Sequence, residues 1–426
     1  MEPATMPSRI ARPGPGRWRR AWLRLHSLAG LAAGAVLALM GLTGALMSFE
    51  DEILEWVNPG LRVADAGAAR RPYAELLPEL ARGLDGARIS FVQADADGPL
   101  VVGVIRQSAS PDARAARYAA DPASGRLLGE IQGSGFFDFV RRLHRWLALP
   151  GGGDGIGRVL TGCAAAALAG LALSGWWLGW RRAARPDGAP PATSVAAAAH
   201  QPPSAAPWRT RAWHRAWHVR LGLWLAPLYL LSALSGLWWS SAGYRAALGA
   251  AADFVAAPGG RPYTPSQTRG RPTPPREAPA RPEAPAPQAS PRQIGAAADA
   301  VLADIAVPAQ RILLGMPRTG GTMRLRWLPR GAAHPRAYDD YRIDPASARV
   351  VEFQPHAGLG PAQRLEAAML PLHTGTLFGL PMRLLLMLSS LALALFAASG
   401  TCMYILRRRR SHADPRGDRE QVLKEK

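Results

Sequence analysis

The chain has 426 residues, of which 48% are hydrophobic, and its formal net charge is +20 at pH 7. The hydrophobic residues are concentrated in four runs that can each cross a bilayer, which takes about 20 residues, so a soluble globular protein is excluded. The basic residues cluster beside these runs, a distribution that indicates membrane orientation and argues against nucleic acid as a partner.

The four hydrophobic runs are predicted transmembrane helices. They are Leu28–Phe49, Ile156–Trp180, Leu221–Ser241 and Leu380–Leu406. The first run is too long for a signal peptide, lacks a small-residue cleavage site and continues directly into Glu50 and Asp51. The sequence therefore predicts an integral membrane protein embedded in a lipid bilayer.

Arginines predict the orientation of these helices. Six arginines precede the first run, seven lie between the second and the third, and four directly follow the fourth. Cytoplasmic loops of membrane proteins carry an excess of Lys and Arg, so both termini and the middle loop are predicted to be cytoplasmic. The two remaining segments between runs are then external.

These features divide the chain into nine predicted segments. They are a cytoplasmic N-terminal tail (1–21), a first transmembrane helix (22–49), a first external domain (50–135), an interfacial segment with the second helix (136–180), a disordered cytoplasmic linker (181–207), a third helix (208–241), a second external domain (242–365) with a proline-rich insertion (258–291), an interfacial segment with the fourth helix (366–406), and a cytoplasmic tail (407–426).

The chain also contains an internal repeat. The segments around His26 and His218 match at an offset of 192 residues (218 − 26), and YAADPASGRLL at 118–128 matches YRIDPASARVV at 341–351 at an offset of 223 (344 − 121). The repeated unit is a span, an external domain and a second span. Each external domain has the pattern of one helix before a small antiparallel meander. The predicted fold class is thus a duplicated α-helical membrane protein with four transmembrane helices and two external α+β domains.

Four histidines lie at the mouths of the predicted spans. His26 and His218 open the first and third spans from the cytoplasmic side, and His144 and His373 precede the second and fourth on the outer side. One such histidine alone is more often an interfacial residue bonded to water or headgroups. Because ionisable side chains at membrane depth are costly and these recur in both halves, we interpret them as two pairs of ligands.

Two further sets of residues accompany these pairs. His214 lies four residues before His218 on the same helical face, so it is an alternative ligand; the two could also form part of a zinc site, but no further ligands accompany them. Arg158 and Arg383 match at an offset of 225 and can either pair with carboxylates or anchor the helices at the interface. The other histidines, including His334 and His356, have no counterpart in the other half and are predicted to be exposed.

The motifs resemble a known family. The pattern Tyr-x-x-Asp-Pro-x-[Ser/Thr]-Gly at Tyr118–Gly125 resembles the PepSY domain. The segments LTGALMSFEDEILEWVNP and LHTGTLFGLP, with the Ser-Gly pairs near the span ends, resemble the PepSY-associated transmembrane family from about Trp18 to Arg410. Some members of this family are di-haem ferric-siderophore reductases of the bacterial inner membrane.

The resemblance implies a cofactor, partners and a location. It implies two haem b groups per chain, with the iron held by His26 and His218 on one side of the membrane and by His144 and His373 on the other, and it makes Arg158 and Arg383 candidates for pairing with the propionates. The external domains become periplasmic PepSY-like domains, and the protein is expected in the bacterial inner membrane. The implied partners are a ferric siderophore or similar metal chelate as acceptor and a separate electron donor, either a flavin reductase or a quinol.

A second function remains open at this point. The external domains can instead belong to a non-redox receptor or regulator that binds peptides or modulates a peptidase, with no cofactor at the histidines. On the redox interpretation, arginines of the second external domain are available to dock an anionic chelate: Arg311, Arg324 and Arg326. The sequence does not decide which acceptor is used.

Overall fold

The chain folds into two compact units. The computed structural model describes residues 16–63, 69–85, 87–105, 116–183, 208, 210–256, 289–317 and 321–413. The helical unit comprises residues 1–45, 143–240 and 385–426, and the sheet unit comprises residues 46–142 and 241–384. The predicted cytoplasmic linker from residue 184 onward, and all but the last three residues of the predicted proline-rich insertion (258–291), lie outside the described residues.

The described residues contain four helices that are long and apolar enough to cross a membrane, as the sequence predicts. They are α1 (Arg17–Met47), α5 (Ile156–Ala183), α6 (Arg211–Ser240) and α10 (Gly379–Ala413). Three of them extend well beyond the predicted hydrophobic runs, because the arginine-rich flanks are good helix formers and continue the helix into polar surroundings. The predicted positions of the spans are therefore confirmed, and the helices themselves are longer.

Small residues allow the helices of the helical unit to pack closely. The core consists of a few large side chains among alanines: Leu37, Ala164, Leu168, Ala172, Ala226, Tyr229 and Ala233. α5 packs along α6, and Gly41 of α1 lies so close to α10 that an added Cβ would meet the Ser390 carbonyl oxygen at 2.3 Å. In lipid there is no hydrophobic driving force between helices, so helices associate through the close backbone packing that small residues allow.

The described residues of the sheet unit form eight antiparallel strands and six shorter helices. The strands are β1 (Arg88–Asp95), β2 (Leu100–Ile105), β3 (Ala116–Ala120), β4 (Leu127–Glu130), β5 (Ala309–Gly315), β6 (Met323–Pro329), β7 (Asp339–Ile343) and β8 (Val350–Gln354). The helices are α2 (Glu50–Val57), α3 (Tyr73–Gly83), α4 (Ser134–Trp146, whose last residues belong to the helical unit), α7 (Ala242–Ala256), α8 (Pro291–Ala303) and α9 (Pro361–Thr374). Single turns of 3₁₀ helix occur at Pro59–Leu61, Gly152–Asp154, His356–Gly358 and Thr376–Phe378.

The strands form one continuous sheet, whereas the sequence suggests two separate external domains. The strand order is β4-β3-β2-β1-β5-β6-β7-β8, so the two predicted meanders meet where β1 pairs with β5. Alone, the first meander would leave β1 with unpaired backbone groups, and the second would leave β5 in the same state. Pairing β1 with β5 removes both of these exposed edges. The helix-before-meander order is confirmed in each half, but the halves share a single sheet.

The two helices that precede the meanders share one core beneath this sheet. α3 packs directly on α8, and Gly295 of α8 is so close to α3 that an added Cβ would meet the Tyr73 carbonyl oxygen at 2.2 Å. The carboxylate of Asp299 on α8 accepts hydrogen bonds from the backbone N–H groups of Tyr73 (2.9 Å) and Ala74 (2.8 Å). Asp299 therefore satisfies free donors at the start of a helix that comes more than two hundred residues earlier in the chain.

Candidate functional site

His26 and His218 lie side by side in the helical unit. His26 is on α1 and His218 is on α6, each near the end of the helix at which the arginines cluster. The centroids of the two imidazole rings are 6.3 Å apart and the ring planes meet at 78°. The structure thus brings together the two residues that occupy equivalent positions in the sequence repeat.

A serine hydroxyl lies within hydrogen-bond distance of each of these imidazoles. Ser174 Oγ on α5 lies 2.8 Å from Nδ1 of His26, and Ser399 Oγ on α10 lies 2.9 Å from Nδ1 of His218. Each hydroxyl also donates to a backbone carbonyl of its own helix, Ser174 to Leu171 (3.3 Å) and Ser399 to Phe396 (3.2 Å). The two histidine–serine pairs therefore have the same geometry in two different pairs of helices.

These contacts fit the Nδ1–H tautomer of both histidines. A hydroxyl has one proton, and a carbonyl oxygen can only accept a hydrogen bond. With its own proton directed to the carbonyl, each serine oxygen accepts the proton of the Nδ1–H group. Each Nε2 then carries the lone pair, and neither Nε2 is hydrogen-bonded to another residue that the structure describes. A neutral imidazole with a free Nε2 lone pair is the form that binds metal ions.

A glycine follows each of the two serines, and Gly175 makes room for the imidazole of His26. A Cβ added to Gly175 would lie 3.3 Å from Cε1 of His26, and one added to Gly400 would lie 4.0 Å from Cε1 of His218. The ring of His218 is also held by an edge-to-face contact with Phe396, at a centroid distance of 4.9 Å. The dipeptide at 174–175 thus serves two purposes, since Ser174 contacts the ring of His26 and Gly175 lets that ring approach.

His144 has a related environment at the end of α4. Its Nδ1 lies 3.0 Å from the carbonyl oxygen of Met40 and 3.0 Å from Oγ1 of Thr43, both on α1. Because the carbonyl can only accept, Nδ1 carries the proton and Nε2 carries the lone pair here too. Thr43 is followed by Gly44, and a Cβ added to Gly44 would lie 3.2 Å from Cε1 of His144. Three of the four predicted ligands therefore each contact a serine or threonine that is followed by glycine.

The remaining predicted ligands lie elsewhere. His373 is in the last turn of α9, in the sheet unit, whereas His144 belongs to the helical unit, so pairing of these two stays a prediction. His214 is on α6 one turn before His218, and its ring makes an edge-to-face contact with its neighbour Trp213 at 5.2 Å. It is the ring of His218, and not that of His214, that contacts His26.

The two arginines that match in sequence have different partners. The guanidinium of Arg383 donates to both carboxylate oxygens of Glu52 (2.6 Å each) and to the carbonyl of Ser48 (2.6 Å), and this bonding lowers the pKa of Glu52. Arg158 donates through Nη1 to the carbonyl of Gly153 (2.8 Å), but its Nε is buried and has no partner among the described residues. Of the two predicted propionate partners, Arg158 is the one with an unused donor.

The three arginines considered for anion docking are already paired. Arg311 on β5 bonds Asp95 of β1, and Arg324 on β6 bonds Asp340 of β7. Arg326 lies 3.9 Å from the same Asp340 carboxylate. Their positive charge is therefore largely balanced by neighbouring strands, which weakens the case for an anion-docking patch at these positions.

His334 and His356 are not the ordinary exposed residues that the sequence suggests. His334, between β6 and β7, is 8% exposed, and its ring meets that of His356 edge to face at 5.2 Å. His334 Nδ1 accepts from the backbone N–H of Arg336, while His356 Nδ1 is buried without a partner in the described part of the chain. Desolvation lowers the pKa of both imidazoles; the charge of His356 lowers the pKa of His334 further, and the charge of Arg364 lowers that of His356. Burial of a loop histidine leaves no pattern in a sequence.

Sequence reasoning missed the roles of the hydroxyl side chains. The Ser-Gly dipeptides are visible as part of the repeat, at positions 174–175 and 399–400, but nothing in the sequence shows which helix faces them. Ser235-Gly236 on α6 is a further Ser-Gly dipeptide, and Ser235 donates to the carbonyl of Leu231 as Thr43 does to that of Leu39. Among the residues that the structure describes, no group of three or more His, Cys, Asp or Glu side chains forms a conventional metal cluster.

One comparison with known proteins gives a match. A family model described as the PepSY-associated TM region matches residues 23–407, which is most of the chain and includes all of the histidines discussed above. No curated protein matches the chain.

Proposed function

The chain belongs to the PepSY-associated transmembrane family, and from this premise we propose that it is a haem b protein that carries electrons across the bacterial inner membrane to reduce an external ferric chelate. The observation that carries the proposal is the His26–His218 pair. Two imidazoles face each other between apolar helices, and each has its Nδ1 proton bonded to a serine.

The spacing of this pair fits haem. Metal–imidazole nitrogen bonds are about 2.0–2.1 Å long, so two imidazoles that ligate one metal ion from opposite sides hold their ring centroids about 6 Å apart. The centroids of His26 and His218 are 6.3 Å apart. The glycines beside both rings keep the adjacent helix backbone free of side chains, which suits a flat macrocycle. When bound there, haem b supplies a one-electron carrier whose potential the axial ligands set.

The residues of the helical unit also fit an outer site. His144 presents the same tautomer, with its Nδ1 proton bonded to the Met40 carbonyl. Arg158, on the helix that follows, has a buried Nε without a partner in the described residues, and a buried guanidinium nitrogen calls for a carboxylate. We therefore retain His144 and His373 as the proposed outer ligands and Arg158 as the proposed propionate partner. Arg383 is better explained by its pair with Glu52.

The proposed direction of electron flow follows from orientation. The arginine-rich helix ends support an orientation in which His26, His218 and both termini face the cytoplasm, by the positive-inside rule. A cytoplasmic flavin reductase or membrane quinol would then donate electrons to the inner pair, and the sheet unit, as two fused PepSY-like domains from a duplication, would face the periplasm. Reduction of ferric iron to the softer, less charged ferrous ion weakens its hold by the hard oxygen ligands of a siderophore.

The test of this function begins with absorption spectra of the full chain, purified in detergent from haem-replete cells. We expect sharp low-spin bands after dithionite reduction and a pyridine haemochrome count of two b haems per chain. The reduced protein, mixed rapidly with a ferric siderophore, should be reoxidised, while the gallium complex of the same siderophore, which cannot be reduced, should leave it unchanged. A colourless protein would contradict the proposal and direct attention to peptide binding by the sheet unit.

A further inference from the structure

The serines that contact His26 and His218 reach them from other helices. Ser174 is on α5 and Ser399 is on α10, so neither hydroxyl reaches its histidine through the regular geometry of a single helix. Both contacts lie among apolar helices, where a polar group without a partner is costly. Two separate helix pairs nevertheless bring a hydroxyl to the same ring nitrogen at 2.8 and 2.9 Å.

We propose that Ser174 and Ser399 are positioning residues that fix His26 and His218 as Nδ1–H tautomers and lower the reduction potential of the haem held between them. The proposal rests on the proposed function, because it requires haem at this pair. It assigns to the two serines a role in the energetics of electron transfer that the family match does not provide.

The tautomer argument follows from the hydrogen bonds. A neutral imidazole can carry its proton on either nitrogen, and only the unprotonated nitrogen can bind iron. Each serine oxygen can accept a hydrogen bond from Nδ1–H when its own proton is directed to the carbonyl of Leu171 or Phe396, which lies 3.3 or 3.2 Å away. Moving the imidazole proton to Nε2 would break that bond in a low-dielectric environment, so the serines favour the tautomer in which both Nε2 atoms keep their lone pairs.

The potential argument concerns the charge on the imidazole. A hydrogen bond from Nδ1–H to an oxygen draws the proton outward and makes Nε2 a stronger electron donor. A stronger donor stabilises ferric iron more than ferrous iron, since the ferric ion carries the greater charge. The couple takes up one electron and the imidazole keeps its proton, so the net effect is a lower potential. A lower potential at the inner pair favours transfer of the electron toward the outer side.

His144 shows why the effect should be specific to the inner pair. Its Nδ1 proton is bonded to the Met40 carbonyl as well as to Thr43, and a backbone carbonyl is present whatever the side chains are. Each inner histidine has a serine as the only hydrogen-bond partner of its Nδ1 in the described part of the chain. Changes at Ser174 or Ser399 therefore act on the inner potential alone.

The experiment compares hydroxyl-deleted and hydroxyl-retaining variants of the haem-loaded full chain. Ser174→Ala, Ser399→Ala and the double variant remove the hydrogen bonds, and Ser174→Thr and Ser399→Thr keep a hydroxyl. Ser27→Ala is the matched control, because Ser27 is next to His26 and donates to the Leu23 carbonyl but is exposed on the helix surface. The readouts are a redox titration followed optically and the ferric EPR spectrum, neither of which measures turnover.

We expect one of the two haem components to titrate at a higher potential in the alanine variants, most strongly in the double variant. A tenfold loss of ferric over ferrous preference corresponds to about 59 mV for one electron. The EPR signal of that component should shift, the threonine variants should return both readouts toward those of the wild type, and Ser27→Ala should match the wild type.

Two results would overturn the proposal. One is a double variant that keeps both haems and titrates like the wild type. The other is a threonine variant that shifts the potential as far as alanine does, which would indicate packing and not hydrogen bonding. If the double variant loses haem, the single variants carry the same comparison. A wild-type protein without haem would instead overturn the proposed function itself, so the two failures are distinguishable.

Discussion

The imidazole planes of His26 and His218 are nearly perpendicular, at 78°, although the two residues occupy equivalent positions on their helices. Each ring is fixed by its own serine and glycine, so the angle between them is set by four helices and not by the histidines. Ligand-plane orientation determines how the d orbitals of a low-spin ferric ion split. The angle is therefore a property that spectroscopy can detect.

The first prediction concerns this angle. If the pair holds haem as we propose, its ferric EPR spectrum should show the strongly anisotropic low-spin signal that perpendicular axial imidazoles produce, and not the rhombic signal of parallel ones. Continuous-wave EPR of the oxidised protein in frozen detergent solution measures this directly. A purely rhombic spectrum from both haems would show that the rings reorient on binding.

The second prediction separates His218 from His214. His218→Ala should abolish the low-spin bands of one haem, because its ring is the one that faces His26. His214→Ala should leave the spectrum essentially unchanged, since the ring of His214 contacts Trp213. Reduced-minus-oxidised spectra of the two variants, normalised to protein, give the comparison. Loss of the bands in His214→Ala alone would reverse the assignment.

A third prediction concerns the close approach of glycine to imidazole. Gly175→Ala would place a Cβ 3.3 Å from Cε1 of His26, which is tighter than an ordinary contact, whereas Gly400→Ala leaves 4.0 Å to His218. We expect the first variant to retain haem about 10- to 100-fold less well, as is typical when the support of a metal ligand is disturbed. Gly400→Ala is the matched control and should behave like the wild type in a haem-transfer assay with apomyoglobin.

Stability of the sheet unit should depend on pH through His334 and His356. Burial and the neighbouring charges keep both pKa values below the usual 6.5 in the folded protein. As the pH falls below 6.5, the unfolded chain takes up protons that the folded chain does not, so stability decreases with acidification until the folded pKa values are reached. The charged groups that face the pair are Arg336, Arg364 and Asp339.

The check is thermal unfolding between about pH 7.5 and pH 5, the range in which free histidine titrates. The midpoint should fall across this range in the wild type and fall less in His334→Gln and His356→Gln. Each variant is its own control at the higher pH, where both histidines are neutral and only packing differs. Equal slopes in all three proteins would assign the acid sensitivity to other groups.

The final prediction concerns a cluster of four charged side chains that joins α2, β3 and α4. Arg117 and Arg141 each bond both Glu50 and Asp138, and these four side chains are between 12% and 27% exposed. Asp138→Ala would leave two guanidinium groups with one acid, at a cost of about 2–4 kcal/mol in the free energy of unfolding.

A surface ion pair provides the control for this prediction. The Glu55–Arg62 pair has side chains that are 66% and 67% exposed, and Glu55→Ala should cost less than about 1 kcal/mol. Thermal unfolding of the full chain in detergent ranks the two variants. A similar loss of stability in both variants would mean that the cluster of four charged side chains is as well solvated as the surface pair.

The sequence predicts the spans and the candidate ligands because both leave local signals. A hydrophobic run long enough to cross a bilayer is visible in any window, and histidines that recur at matched positions are visible in the repeat. The partners of the ligands are not visible, because the pairing of Ser174 with His26 depends on which faces of α1 and α5 meet. The union of the two meanders is hidden for the same reason, since pairing of β1 with β5 joins edges far apart in the chain.

The pairing of β1 with β5 has a symmetric register. Phe91 pairs with Gly315 and Val92 pairs with Leu314, and the repeat offset of 223 converts one pair into the other, because 91 + 223 = 314 and 315 − 223 = 92. The junction therefore has local two-fold symmetry. A single half expressed alone would carry an edge complementary to itself, so it would assemble with a second identical half.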